Sequence, residues 1–276
     1  MAEVLQAASR ESMASARTRL DAYADSAQAA DLRRLGDELF AVMRLLVEQR
    51  SLRRLLADPS SPEEARAGLV ERVLGQQVAA PTIDIAKGLV EARWSRAGDL
   101  VTAFETLARQ ALLAVAEKEG SLDNVEDELF RFGRVVNREP QLGSLLADLA
   151  TPPDGRVALL DRLVDGKVSP VTAALLRQSV RLPRDRHLDV VCEELAELAA
   201  GRRERSVARI TTPVALSPVQ EQKLTDSLTR LYGRPISLQI ELDPRLLGGL
   251  VVQVGGEVID GSVASKLVAA RRSLPS

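Results

Sequence analysis

The chain has 276 residues, with 37 Lys and Arg against 39 Asp and Glu, 45% hydrophobic and only 3% aromatic residues, a composition ordinary for a soluble protein of two or three domains. One cysteine, Cys192, and one histidine, His187, exclude an internal disulfide and the usual structural zinc ligand sets. Glu105 and Arg109 interrupt the most apolar stretch, so nothing reaches the roughly 20 apolar residues of a membrane span, and the N-terminus lacks the layout of a signal peptide; a cytoplasmic, reducing location is expected.

Along the chain, the first organising feature is an internal repeat at an offset of 90. Asp37-Glu38-Leu39-Phe40 recurs as Asp127-Glu128-Leu129-Phe130, and Leu55-Leu56-Ala57-Asp58 as Leu145-Leu146-Ala147-Asp148. Residues 37–82 and 127–172 share 16 identities in 46 positions, which implies a duplicated domain. After a two-residue shortening near 93–97 the match resumes at offset 88, placing Phe104 on Cys192 and Glu105 on Glu193. Leu39, Val42, Met43, Leu46 and Val47 follow the i, i+3, i+4, i+7 spacing of an amphipathic helix, and Leu52, Leu55 and Leu56 begin a shorter one. Ser61-Pro62-Glu63-Glu64 reads as a helix start with Ser as N-cap, and Thr151-Pro152-Pro153-Asp154 and Ser169-Pro170 as similar starts in the second copy. The segment 100–118 is expected to close the first copy and open the second, so that the two bundles share a helix.

Near Gly201 the pattern changes. Segments 207–211 and 236–240 alternate as strands, and 250–254 and 257–259 flank Gly255-Gly256, a pair suited to a hairpin turn. Ser217-Pro218-Val219-Gln220 is a capping box opening a helix to about Tyr232, and a last helix is expected from Ser262. The fold class expected is therefore mainly α: two tandem duplicated helical bundles, 1–104 and 105–200, followed by a small α+β domain, 201–276. Charge follows these divisions, −2 over 1–120, −4 over 121–200 and +4 over 201–276, which suggests two binding surfaces of different character.

Candidate chemistry is sparse. The glycines at 248, 249, 255, 256 and 261 flank strands and no GK[ST] follows, so they are assigned to turns and close packing, not to phosphate binding. His187, beside Arg184, Asp185 and Arg186, suits a surface or capping role, Cys192 a buried thiol, and Trp94 the core between two helices. Glu193-Glu194 are adjacent and point apart on a helix. No Ser/His/Asp grouping arises without His187 as sole base. Arg202, Arg203, Arg205 and Arg209 could meet phosphates but lack interleaved aromatics, and a solvated linker explains them equally well. A nucleic-acid-binding adaptor using the basic C-terminal part, and a small-molecule enzyme with a pocket between the bundles, remain as alternatives.

The run from Asp243, Pro244, Leu247, Gly248 and Gly249 through Gly255 to Ile259, Asp260, Gly261 and Ser262 resembles the C-terminal signature of the ATP synthase delta subunit, or oligomycin-sensitivity-conferring protein, family. Residues 111–129 resemble that family's N-terminal helix pair and 211–217 its lead-in to the C-terminal domain, so the likeness covers about 105–276. Gly256 stands where the family more often has Asp, and 1–104 exceeds the usual length, as in a long bacterial form with a duplicated helical domain. The resemblance implies a non-catalytic stator subunit without cofactor, metal or catalytic residues, and without nucleic acid as a partner. It also implies one copy per complex, with alpha-subunit N-terminal helices held in an apolar groove of the helical domain and the peripheral stalk b subunit held by the C-terminal domain. Membrane contact is expected only through these partners, at the cytoplasmic face of the bacterial cell membrane.

Overall fold

Apolar periodicity through the first two hundred residues becomes a run of helices: α1 (Ala7–Ser26), α2 (Ala29–Glu48), α3 (Arg50–Ala57), α4 (Glu63–Leu74), α5 (Ala80–Glu91), α6 (Ala97–Lys118), α7 (Leu122–Arg138), α8 (Pro140–Ala147), α9 (Pro153–Val164), α10 (Pro170–Arg181) and α11 (Leu188–Arg205). The computed structural model describes residues 6–184, 186–205, 207–232, 236–254 and 257–263. Gly255, Gly256 and nearly all of the helix expected from Ser262 lie outside the described residues. The chain divides into two compact units, Met1–Leu198 and Ala199–Ser276, the division falling within α11.

The repeat is written into hydrogen bonds as well as letters. Glu38 accepts from the Ala79 N–H at 2.9 Å and from the Thr82 hydroxyl, while Glu128, 90 residues on, accepts from the Ser169 N–H at 2.9 Å and the Thr172 hydroxyl at 2.6 Å. In each case a carboxylate on a long helix satisfies one backbone N–H and one hydroxyl where a 12-residue helix begins, the end that a negative charge stabilises. Buried Arg66 donates to the carbonyls of Glu91 and Ala92, and buried Arg156 to that of Arg181. Lys87–Glu71 at 3.0 Å and Arg177–Asp161 at 2.6 Å tie the same pair of helices in each copy.

At the centre lies α6. Every residue from 107 to 117 is buried, the signature of a helix enclosed on all sides. It packs against α1, α2, α3 and α5, and also against α7 and α10. Close approach to α2 depends on Gly36, where a Cβ would come within 2.9 Å of the Leu112 side chain.

Helix starts differ from the sequence expectation in two places. Pro62, not Ser61, is the N-cap of α4, and Pro152, not Thr151, that of α9, neither with a side-chain cap bond. The hydroxyl of Thr151 instead donates to Asp148 at 2.9 Å, because the turn preceding the helix competes for it. Ser169 does cap α10, accepting from the Thr172 N–H at 3.2 Å.

In the second unit, β1 (Val207–Thr212), α12 (Pro218–Tyr232), β2 (Ser237–Leu242), β3 (Val251–Val254) and β4 (Glu257–Asp260) form a sheet of order β2-β1-β3-β4. The β1–α12–β2 crossover makes the first pair parallel, and the β1–β3 and β3–β4 pairs are antiparallel. Ala208, Ile210, Val252 and Val254 alternate onto one face and form a core with Leu228 of α12 and Ile236. At the start of α12 the Ser217 N–H donates to the Gln220 side chain at 2.8 Å and the Gln220 N–H to the Ser217 hydroxyl at 3.4 Å, a reciprocal cap.

Candidate functional site

The motif residues of the second unit converge on one structural knot. Asp243 donates its N–H to the Thr212 carbonyl at 2.9 Å, and its carboxylate receives the Arg245 N–H at 3.0 Å and guanidinium at 2.9 Å. Those Arg245 hydrogen bonds hold the Asp243 carboxyl below its usual range. Pro244 continues this turn, and Leu247 stands 78% exposed beyond it. Gly248 and Gly249 have φ of +147° and +80°. Their segment is sewn to Gly261-Ser262 by Gly261 N–H to the Leu250 carbonyl at 3.0 Å and Val263 N–H to the Gly248 carbonyl at 2.9 Å. A Cβ on Gly249 would lie 2.4 Å from the Gly261 carbonyl oxygen. Asp260 accepts from the Ser262 N–H at 2.9 Å, and Ile259 sits opposite Val252. Gly255 is outside the described residues.

A different surface has the makings of a docking groove. On the helical unit, a cleft of about 340 Å³ is lined by Val136, Pro140, Gly143, Ala147, His187 and Leu188, among others. A second, of about 180 Å³, is lined by Leu129, Phe130, Gly133, Arg134 and Glu193, and the two share Asn137 and Asp189. Together they run along α7, α8 and the start of α11. Gly133 allows the close approach, since a Cβ there would meet the Cys192 Cβ at 3.0 Å. Phe130 is 55% exposed on this surface, whereas its repeat partner Phe40 is 2% exposed; the same position is core in one copy and open in the other. A smaller cleft of about 80 Å³ lies between α1 and α5, lined by Ser12, Ala16, Arg19, Ile85 and Gly88.

Singled-out residues fall as follows. His187 is exposed and precedes α11, lending its carbonyl to the Val191 N–H. Cys192 is fully buried, and burial pushes its thiol up to about 12. Trp94 is buried, its ring N–H donating to the Leu89 carbonyl at 2.7 Å. The Arg run is not a solvated linker: 202–205 is helical within α11, Arg202 is 2% exposed, and Arg203 and Arg209 line a cleft on the sheet. Sequence reasoning missed a buried ionic cluster. Glu105 pairs with Arg109 at 2.7 Å and with Arg184 and Arg186 from the α10–α11 loop, and Glu194 pairs with Arg109 at 3.4 Å and Arg186 at 3.0 Å. Charges at 105 and 109, four apart inside an apolar run, were its only sequence signal.

These features acquire a context from known proteins. A family model described as ATP synthase delta (OSCP) subunit matches residues 109–274. Over 269 residues the chain is 47% identical to ATP synthase subunit delta of Streptomyces avermitilis, covering 98% of each. The chain belongs to the ATP synthase delta (OSCP) subunit family. It is accordingly a non-catalytic subunit of the ATP synthase complex. A Mycobacterium sp. relative, ATP synthase subunit b-delta, is 42% identical over 98% of this chain, which spans 61% of that longer protein. A chain in the solved structure of the Toxoplasma gondii mitochondrial ATP synthase hexamer aligns at 21% identity with a TM-score of 0.29, over 61% of this chain and 96% of its own. The family match begins inside α6, and the Streptomyces relative shares the preceding hundred residues, so the long form is common to both. The nucleic-acid alternative has no support among these relatives.

Proposed function

We propose that this subunit is the stator link of the synthase, joining the alpha/beta catalytic head to the peripheral stalk b subunit so that proton flow drives ATP synthesis instead of turning the head. The observation that carries the reading is family membership across nearly the full length of a delta subunit. The relative named b-delta supports a stalk partner, since there a delta-like part shares its name with b. In this proposal one copy serves each complex, held at the cytoplasmic face of the bacterial cell membrane through its partners, and the helical unit holds N-terminal helices of alpha.

The α7/α8/α11 groove is the surface assigned to a helix of the head. It lies within the family-matched residues, it is larger than the α1/α5 cleft, and α6 has no free face over 107–117. An amphipathic helix laid there would cover Phe130 and Leu188 with its apolar side. The second unit, with its signature knot, is assigned to the stalk.

The test is reconstitution. Full-length protein added to delta-depleted synthase should restore proton-coupled ATP synthesis without changing the soluble hydrolysis rate. Phe130→Glu should weaken head binding by about tenfold or more, since a charge would be buried at the centre of an apolar contact, while Leu55→Glu, equally exposed on α3, should not. Intrinsic ATPase activity of the chain, or rescue unaffected by Phe130→Glu, would count against the respective part of the proposal.

A further inference from the structure

The repeat supplies an internal comparison for the groove between α7 and α11. On α2, Phe40 and Arg44 stand one turn apart on one face; Phe40 is 2% exposed, and the Arg44 guanidinium donates to the side-chain amide oxygen of Gln178 on α10 at 2.7 Å. A helix of the second copy thus reaches that face of the first. Ninety residues on, Phe130 and Arg134 keep the same letters at the same spacing on α7. Here Phe130 is 55% exposed, and Arg134 is exposed with its guanidinium 5.8 Å from the centre of the Phe130 ring. Arg134 has no hydrogen-bond or ion-pair partner among the described residues. Across the same cleft α11 presents Asp189 and Glu193, four apart and so on one helix face. Neither has a hydrogen-bond or ion-pair partner among the described residues. One wall is therefore apolar and cationic, the other anionic.

We propose that Arg134 on one wall and Asp189 and Glu193 on the other select the helix that docks in this groove and fix its direction. The occupant is an amphipathic helix of the catalytic head that lays an apolar side chain over Phe130, offers a side-chain amide to Arg134 as Gln178 does to Arg44, and sets a Lys or Arg against Asp189 and Glu193. The inference rests on the groove reading above and adds the side-chain chemistry that the occupant has to carry. Reversing such a helix end for end would exchange its two edges, so walls of opposite charge accept only one direction. An amide suits Arg134 better than a carboxylate, because Asp189 and Glu193 share the cleft and would repel a further negative charge. Exposed ion pairs contribute little by themselves. Once a helix covers them and water leaves, a like-charge mismatch becomes costly, so these groups govern selectivity more than raw affinity.

The test measures binding of the full chain and its variants to immobilised delta-depleted synthase at low and high salt. Arg134→Ala should weaken binding about fivefold, the worth of one hydrogen bond to a charged group, and Arg134→Lys should recover only part of that, because the charge returns without the planar fork. Glu193→Lys should weaken it about tenfold and flatten the loss of affinity with salt that the parent shows. Glu197→Lys, exposed one turn further along α11 and outside the cleft, should stay within about twofold of the parent. Arg134, Glu193 and Glu197 are all exposed, so these variants should melt with the parent. If Phe130→Glu weakens binding while Arg134→Ala or Glu193→Lys matches the parent, or if Glu197→Lys acts as strongly as Glu193→Lys, the selection assigned to these walls is overturned and the groove reading stands. If Phe130→Glu has no effect, the groove is not the site and the inference falls with it.

Discussion

Glu105 is 4% exposed on the central helix, yet it does not stand alone: three arginines surround it, and Glu194, paired with two of them, Arg109 and Arg186, is the second carboxylate of the cluster. Burial works to raise its carboxyl, and the charges of Arg109, Arg186 and Arg184 outweigh burial and hold it below its ordinary value of 4.5. Glu105→Ala leaves Arg109, 5% exposed, without its closest counter-charge, and removing one member of a buried pair costs about 3–5 kcal/mol. Urea denaturation of the helical unit should show that loss. The sign with pH follows from the lowered value: stability from Glu105 is fully present above the unfolded-state value near 4.5 and is lost as pH falls through the lower folded value. Parent protein should therefore hold its urea midpoint from pH 7 to about 5 and lose it below, and Glu105→Gln should show a shallower acid decline. The same cluster explains Arg184, a non-glycine residue at φ +52°. Its side chain is bound to Glu105 and to the Thr102 hydroxyl at 3.1 Å, and such contacts offset the roughly 1–3 kcal/mol of a left-handed backbone.

Among the elements, two glycines make opposite predictions. Gly249 has φ +80° with backbone 2.4 Å from where a Cβ would sit, so Gly249→Val has to unstitch the segment from Gly261-Ser262. Melting of the second unit should shift strongly down while the helical unit's transition stays in place; an unmoved transition would refute the packing argument. Gly201 lies within α11, exposed, with nothing near a prospective Cβ, so Gly201→Ala should stabilise by about 0.5–1 kcal/mol. Much of this level was legible in the sequence. Offset-90 identities gave the duplication, and two of them, Glu38/Glu128 and Thr82/Thr172, make the same contact in each copy; the Ser217/Gln220 box is where its capping residues placed it, and strands 207–212 and 251–254 lie within a residue of the expected 207–211 and 250–254. What was not legible depends on tertiary neighbours. Ser61 and Ser169 precede Pro alike, but Asp58 competes in the turn before α4 while Glu128 sits over the start of α10. Phe40 and Phe130 are the same letter in the same motif, and only packing buries one and leaves the other open to line the proposed groove.

At the scale of the whole chain, the decisive feature is that α6 serves both copies. The repeat makes it natural to cut near residue 104 and expect residues 105–276, already a family-sized subunit, to work alone. The packing of α6 argues otherwise. Leu100, Val101, Phe104, Leu107 and Leu112 are each 1% exposed or less, on a helix covered from one copy by α1, α2, α3 and α5. Uncovering a large apolar side chain forfeits about 1.5–3 kcal/mol, so exposing even a few of these consumes much of the 5–15 kcal/mol by which a domain is stable. A fragment of residues 97–276, which keeps α6 whole, should therefore bind a hydrophobic dye, self-associate in sedimentation, and melt well below the intact chain. A fragment of residues 1–205, which keeps every helix around α6, should stay monomeric with the parent's helical transition. If 97–276 is monomeric and melts like the intact helical unit, α6 is not the shared core of the two copies, and the first hundred residues are an appended module instead of half of one body.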